Sequence, residues 1–220
     1  MTSRSLPIPD NGVLILVSGG IDSAVMAAAL HARGLVACVL HVSLGNPIDA
    51  CQLHRVTLLC ERLGLTLDHV ALSYSPCVIP ASDYGSASGF LGLQSLLGLA
   101  AALAWSRSIR RIALGLTRDD LEGAPATEWI TAWQTQASVA VRGEYRFSVE
   151  LPLSHMSKRE VVALGHAFDL PLQEITWSCS RSGDSHCGDC PGCRSRESAF
   201  GIPSSPVAPP LDLHFQPTCN

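Results

Sequence analysis

The sequence carries little charge. Only 15% of its 220 residues are charged, and 15 lysines and arginines stand against 19 acids. The net charge of −4 gives no support to general nucleic-acid binding, which usually needs a basic face, so no nucleic-acid partner is expected. Long apolar runs are also missing. The most apolar helix candidate, Phe90–Trp105, is short for a membrane span and contains Gln94 and Ser95; a core or subunit-interface helix is expected instead. Thr2–Asn11 is polar and contains prolines, unlike a signal peptide. No internal repeat is visible, and no Gly-Lys-Ser/Thr follows the glycine pair near the start, which excludes a Walker A loop. Nine cysteines without a secretion signal point to a reducing, cytoplasmic setting and to metal ligands or free thiols, not to a disulfide frame. A 47% share of hydrophobic residues is enough for one ample core and a small appended module.

The most informative stretch is Val13–Ser23, Val-Leu-Ile-Leu-Val-Ser-Gly-Gly-Ile-Asp-Ser. A β-branched-rich apolar run stops at Ser18-Gly19-Gly20. Asp22-Ser23 then opens an Ala-rich periodic segment, Ala24–Ala32, closed by Gly34. The pattern is buried strand, tight turn, helix. Two adjacent glycines let the backbone approach a ligand closely and turn its N–H groups inward. A helix N-terminus adds unpaired N–H groups and a positive dipole end, which favour pyrophosphate. Ser18, Gly19, Gly20, Ile21, Asp22 and Ser23 are therefore the candidate phosphate site; the plainer alternative is a strand-to-helix turn with an ordinary Ser/Asp cap. The full string resembles the PP-loop of the ATP pyrophosphatases, which cleave ATP to AMP and pyrophosphate while adenylating a substrate.

Further along, strands are expected at Leu35–Val42, Leu65–Leu72, Arg111–Leu116 and Tyr145–Leu151. Helices are expected at Ile48–Leu63, Phe90–Ser106, Thr127–Val139 and Met156–Phe168, the last with Ser157 as cap and Glu160 three residues on. Ser73–Ser88 reads as a long loop. Strands alternating with helices predict an α/β fold with a doubly wound parallel sheet. Ligands in such sheets bind beyond the carboxyl ends of the strands, where the Ser18 loop, His41–Ser43 and Gly115–Asp120 fall. His41, Gly115 and Asp120 thus join the candidate nucleotide site. The expected divisions are an N-terminal extension (1–12), the nucleotide domain (13–172), a metal-binding module (173–200) and a Pro-rich tail (201–220).

Cys179, Cys187, Cys190 and Cys193 form a more distant cysteine followed by two overlapping Cys-x-x-Cys steps. Gly183, Gly188 and Gly192 allow the turns that aim four thiolates at one point, which suits a structural zinc site. An iron–sulfur cluster and a reactive dithiol are the alternatives. Cys38, Cys51 and Cys60 read as buried small hydrophobes.

Thr176-Trp177-Ser178-Cys179, the cysteine run and Arg196-Glu197-Ser198-Ala199-Phe200 closely resemble the C-terminus of the 7-cyano-7-deazaguanine synthase (QueC) family. Ser157-Lys158-Arg159-Glu160-Val161-Val162 is similar to that family's Thr-Lys-x-Glu-Ile-Val helix, and Asp120, Gly123 and Pro125 match positions of its substrate loop. The resemblance implies a parallel sheet, a structural zinc, a homodimer, ATP and Mg²⁺. It also implies two ATP-dependent steps, in which a 7-deazaguanine carboxylate is adenylated, converted to an amide with ammonia, and activated again to a nitrile. Ser18, Asp22, Ser23 and Lys158 are the implied catalytic residues. Lys158 stands in the first turn of its helix, a poor place for a merely solvated cation. The resemblance breaks in the substrate loop. A tyrosine, an acid, a cysteine and an arginine of the family are Ala124, Ala126, Thr127 and Glu128 here. The Arg-Asn pair before the long helix is Ser88-Gly89, and the Tyr-Gly-Gln after the second strand has become Ser43-Leu44-Gly45-Asn46. The acceptor half is rewritten, and losing groups built to bond a purine-like ring weakens that substrate. The expectation is a divergent ligase that uses this carboxylate or another one, with ammonia or a different amine, including an amine on a protein. A thiolation enzyme, an amidotransferase and a non-catalytic nucleotide-binding subunit are the competing readings.

Overall fold

Val13–Leu16 (β1) is a run of four apolar residues because it is buried on both faces. Val13 and Ile15 point into one core and Leu14 into the other, the mark of a central strand in a parallel sheet. The computed structural model of the chain describes residues 11–72, 87–122, 126–141 and 145–201, with backbone only for 87–91. Around β1 lie Val36–Ser43 (β2), Leu67–Ala71 (β3), Arg111–Ala113 (β4) and Ser148–Glu150 (β5), all parallel, in the order β3-β2-β1-β4-β5. This is the expected doubly wound α/β sheet. The strand order reverses between β1 and β4, so the crevice for a ligand opens beyond their carboxyl ends.

Helices Ile21–Ala32 (α1), Asp49–Leu63 (α2) and Lys158–Ala167 (α6) cover one face; Ala87–Ser106 (α3) and Ala126–Ala140 (α5) cover the other. The outer face of α1 is itself covered by α6, which is why nine of its residues are buried and Ala-rich. Gly165 of α6 permits the approach: a Cβ there would stand 2.8 Å from Val25 Cγ2 and 2.7 Å from Leu172 Cδ1. Gly64 ends α2 in the left-handed region at φ 65°, where glycine pays no Cβ penalty.

Some boundaries differ from expectation. α3 begins at Ala87, inside the stretch read as loop. β4 stops at Ala113 rather than Leu116, since Gly115 turns the chain against the start of α1. β5 spans only three residues, while Tyr145 and Phe147 before it pack into the second core. Arg118–Leu121 (α4) and Leu172–Ile175 (α7) are too short to show a period. Pro191–Phe200 (α8) is a helix hidden behind a turn-like Pro-Gly; Cys190 caps it, its Sγ accepting the Cys193 N–H at 3.4 Å. Cys38 and Cys60 are buried as expected, whereas Cys51 is only half-buried. The expectations for 1–10, Ser73–Ser86, Gly123–Pro125 and the tail beyond Gly201 fall outside the described residues.

Candidate active site

The turn after β1 is held by its own hydroxyls. Ser18 N–H donates to Ser23 Oγ at 3.2 Å, Ser23 Oγ–H donates to the Gly20 carbonyl at 3.2 Å, and the two serine oxygens lie 3.2 Å apart. Gly19 sits at φ 85°, and a Cβ on it would stand 2.8 Å from the Gln52 carbonyl oxygen of α2. Only glycine fits there. Gly20 is the N-cap of α1, and no side chain caps that helix. The ordinary Ser/Asp cap is therefore absent, and the first N–H groups of α1 remain open to an anion.

Gly115 brings the end of β4 against this turn: a Cβ on it would meet Ser23 Cα and N at 2.9 Å. The chain then enters α4. Asp120 closes a capping box there, its Oδ2 accepting from Thr117 N–H at 3.0 Å and Thr117 Oγ1–H at 2.7 Å. Its other oxygen, Oδ1, stands 2.9 Å from Lys158 Nζ. The same ammonium is 3.0 Å from Asp22 Oδ2. Asp119 Oδ2 accepts the Lys158 backbone N–H at 2.9 Å. Elements α1 and α4 thus bring two carboxylates to the Lys158 ammonium and a third to its backbone at the start of α6. Burial acts against the Lys158 ammonium, but Asp22 and Asp120 outweigh it and hold its pKa above the ordinary value. Burial pushes the Asp22 carboxyl up, Lys158 pulls it down, and Asp120 and Asp119 add to the rise. Asp22 Oδ1 is buried with no partner among the described residues. That orphaned oxygen, beside two further acids and an anion-binding helix end, suits a divalent cation carried in with phosphates.

A cavity of about 520 Å³ joins these groups, within the size range of small-molecule sites. Ser18, Gly20, Ile21, Asp22 and Ser23 line it, as do Gly115, Asp120, Lys158 and His41. Gly19 faces away, toward α2 and Trp177. His41 is 1% exposed, and its Nδ1 lies 2.8 Å from the Val17 carbonyl oxygen. Burial pulls its pKa below the ordinary value, against the pull of that bond, so the neutral ring donates from Nδ1 and leaves Nε2 as a buried acceptor without a partner. On the α3 side the wall is apolar, with Leu93, Leu96, Leu114 and Leu116. Of the positions where the sequence departs from the family pattern, Leu44 and Asn46 line the cavity, whereas Ala126 is buried at the start of α5 and Thr127 and Glu128 are exposed and do not line it.

The opposite wall is the cysteine segment. The four Sγ atoms of Cys179, Cys187, Cys190 and Cys193 all lie within 4.8 Å of one another. The Cys187–Cys193 and Cys179–Cys190 pairs stand at 3.8 and 3.9 Å. A tetrahedral ion with ~2.3 Å metal–sulfur bonds sets its sulfurs ~3.8 Å apart, so this set fits a zinc-sized ion. Gly192 is required, since a Cβ would fall 2.0 Å from the Ser178 carbonyl oxygen. His186 is turned away from the ligand set, its Nε2 accepting the Ser178 N–H at 3.1 Å.

A family model described as Queuosine biosynthesis protein QueC matches residues 94–202. Curated relatives extend the similarity over most of the chain. The 7-cyano-7-deazaguanine synthase of Sulfurimonas denitrificans is 27% identical over 207 residues, covering 86% of this chain and 92% of the relative. That of Methanoculleus marisnigri is 29% identical over 204 residues, covering 84% and 91%. Together these matches support a divergent QueC-family member. Solved structures agree on the fold alone. The U34-tRNA thiolase NcsA from Methanococcus maripaludis aligns with a TM-score of 0.51 at 17% identity, over 90% of this chain and 65% of that one. The NMN synthetase of Francisella tularensis aligns with a TM-score of 0.50 at 18% identity, over 90% and 80%.

Three contributors to this site escaped the sequence reading. Asp119 was visible as half of an Asp-Asp pair. Arg196 clasps the segment before the cysteines, its guanidinium donating to Thr176 Oγ1 at 2.7 Å and to the Leu172 and Gln173 carbonyls at 3.2 Å each. Trp177 donates its backbone N–H to the Gly19 carbonyl at 2.8 Å, a contact no local pattern announces. One compositional signal was overlooked: Lys158 is the only lysine among the 15 lysines and arginines of the chain.

Proposed function

We propose that this chain is an ATP-dependent carbon–nitrogen ligase that adenylates a 7-deazaguanine-type carboxylate and passes the acyl group to ammonia or another amine. The observation that carries the reading is the convergence of Lys158 with Asp22 and Asp120 beside an uncapped helix N-terminus. A carboxylate is a poor electrophile. Its oxygen attacks the α-phosphorus of ATP, pyrophosphate departs, and the amine then attacks the acyl carbon and expels AMP. The α1 N–H groups, the Ser18 and Ser23 hydroxyls and the Lys158 ammonium stabilise the charge that gathers on the departing pyrophosphate. Asp22, Asp119 and Asp120 are the residues to hold Mg²⁺, which supplies further charge neutralisation on the phosphates. His41 Nε2 offers an acceptor on the cavity wall. Segment 173–200 acts as a zinc-binding module that builds the opposite wall.

The cavity chemistry supports a different acceptor from the one the family handles. Ala126, Thr127 and Glu128, in the loop that grips the base in the resembling pattern, are here buried or turned outward, Leu44 and Asn46 replace family residues on the cavity wall, and the α3-side wall is apolar. This favours a second form of the reading, in which the activated acid is captured by a bulkier amine, including one on a protein. A thiolation role has no support: among the described cysteines only Cys179 lines the cavity, and it belongs to the four-sulfur cluster.

The test is ATP–pyrophosphate exchange with 7-carboxy-7-deazaguanine, followed by mass spectrometry with ammonia. Exchange that depends on the acid, with little nitrile, is the expected result. Efficient nitrile formation would make the chain an ordinary 7-cyano-7-deazaguanine synthase, and exchange with no carboxylate at all would remove the ligase reading.

A further inference from the structure

We propose that Trp177 is a positioning residue through which closure of the four-cysteine cluster sets the shape of the Ser18–Ser23 loop, so that metal retention and nucleotide binding are thermodynamically linked. The proposal rests on the reading that the loop takes ATP and the cysteines take a metal.

Gly19 is the loop residue at positive φ, and it is clamped from two sides. Its carbonyl accepts the Trp177 N–H at 2.8 Å. Its α-carbon faces the Gln52 backbone so closely that no Cβ fits. Both clamps lead back to the cysteine segment. Trp177 stands two residues before Cys179. Its indole is 3% exposed and packs on His186, ring centroids 4.4 Å apart, immediately before Cys187. Cys51, next to Gln52, donates its thiol to the Gly183 carbonyl at 3.7 Å, midway between Cys179 and Cys187. Residues 176–190 contain no helix or strand, so the segment has no ladder of its own to hold its shape. Its ends are held by sulfurs that converge on one point. With the ion removed, those sulfurs lose the charge that gathers them, and the Trp177–His186 stack keeps only the Arg196 clasp on Thr176, Arg55 over the indole and the Ser178 N–H bond to His186. The glycine turn then loosens at its Trp177 clamp, and the nucleotide must supply that part of its order at an entropic cost. Linkage makes the effect reciprocal: whatever the metal adds to nucleotide affinity, the nucleotide adds to metal affinity.

The experiment loads the full chain with zinc and follows its release to a colour-forming chelator, with and without a saturating non-hydrolysable ATP analogue and Mg²⁺. The analogue is expected to slow release at least about fivefold, the lower end of ordinary coupling. In Trp177→Ala the ratio of the two rates should fall toward one. Trp177→Phe, which keeps an aromatic ring against His186, should restore most of it. An analogue seen to bind by calorimetry without changing the release rate overturns the linkage, and so does a full ratio in Trp177→Ala. An analogue that never binds overturns the reading of the loop itself. If Trp177→Ala does not fold, amide hydrogen exchange on the unaltered chain decides. Stripping the metal should speed exchange in a peptide covering 17–24, and unchanged exchange there overturns the proposal.

Discussion

Lys158 carries more of the site than any other side chain. Its ammonium touches two acids, its backbone N–H a third, and its helix position alone would disfavour a cation. Arginine, at 14 of the 15 basic positions, is a planar fork; lysine is a compact point charge that fits between two carboxylates and a phosphate. Because no other lysine exists in the chain, an acyl-phosphate ATP probe should acylate one side chain, Lys158, and excess ATP should suppress the labelling. Tryptic mass spectrometry reads this directly, and labelling at the N-terminus alone would place the nucleotide elsewhere. Asp22 illustrates the opposite balance. Burial raises its pKa, so the folded state holds that proton more tightly than the unfolded state. The fold therefore loses stability as pH rises from the ordinary value of 3.8 toward the raised one. Asp22→Asn removes that cost while Lys158 keeps Asp120. The variant should melt no lower than the parent at pH 7, yet lose at least ~100-fold in pyrophosphate exchange. Ser23→Ala should lose activity in the same manner without unfolding. Calorimetry beside the exchange assay separates the two effects, and parent-like exchange in both variants would sink the loop assignment.

At the scale of elements, β2, β3 and the end of α3 are tied by one charged contact. Arg107 donates to Asp68 in fork fashion at 2.6 and 2.7 Å, and Cys38 donates to the same carboxylate at 3.2 Å. The hydrogen bonds from Arg107 hold the Asp68 carboxyl below its ordinary pKa, against burial. Burial and the neighbouring Asp68 push the Cys38 thiol up to about 12, so it stays a neutral donor. The folded pKa of Asp68 lies below the unfolded one. Its contribution is thus complete above 3.8 and is lost as pH falls through the depressed folded value. Asp68 and Arg107 are 28% and 36% exposed, so solvent limits the contribution to under ~1 kcal/mol. Urea unfolding between pH 5 and 2 should show a shallower acid limb in Asp68→Asn than in the parent; parallel limbs would mean that the pair adds nothing. At the start of α6, Ser157 and Glu160 form a reciprocal capping box, Glu160 Oε2 accepting the Ser157 N–H at 2.7 Å. Ser157→Ala should cost ~1 kcal/mol in the same titration. Because α6 begins with Lys158, it should also reduce exchange activity; activity at the parent level would show that the cap does not position the lysine.

The whole molecule is a sheet with a cavity at its switch point, closed on one side by the cysteine segment. The module has little apolar core of its own: its buried cluster is Trp177 with three of the cysteines. Small modules of this kind depend on a metal for stability. Metal analysis should find about one zinc per chain. Cys190→Ser should bind less than half of that and melt lower, with the calorimetric loss disappearing when both proteins are stripped by a chelator. Iron in place of zinc, or unchanged melting, would contradict the structural role.

Local chemistry made much of this legible in advance. A β-branched run buried on both faces, a glycine pair and an Ala-rich helix can be read in order because each depends on neighbours a few residues away. The same holds for the Ser157–Glu160 cap and for the cysteine spacing, whose sulfurs converge because the turns between them are short. The boundaries that differ follow contacts that no neighbouring residue reports. Gly115 ends β4 early because Ser23, 92 positions earlier in the chain, occupies the space a side chain would need. Tertiary structure alone decided that Asp22, Asp120 and Lys158 share one charge cluster, since α1, α4 and α6 meet only when the sheet is wound. It alone decided that Thr127 and Glu128 turn outward, and that Trp177 reaches the carbonyl of Gly19. The division has a physical cause. Propensity and capping act over one or two turns of chain, whereas a binding site is made of distant residues that share nothing but the space left when the core has packed.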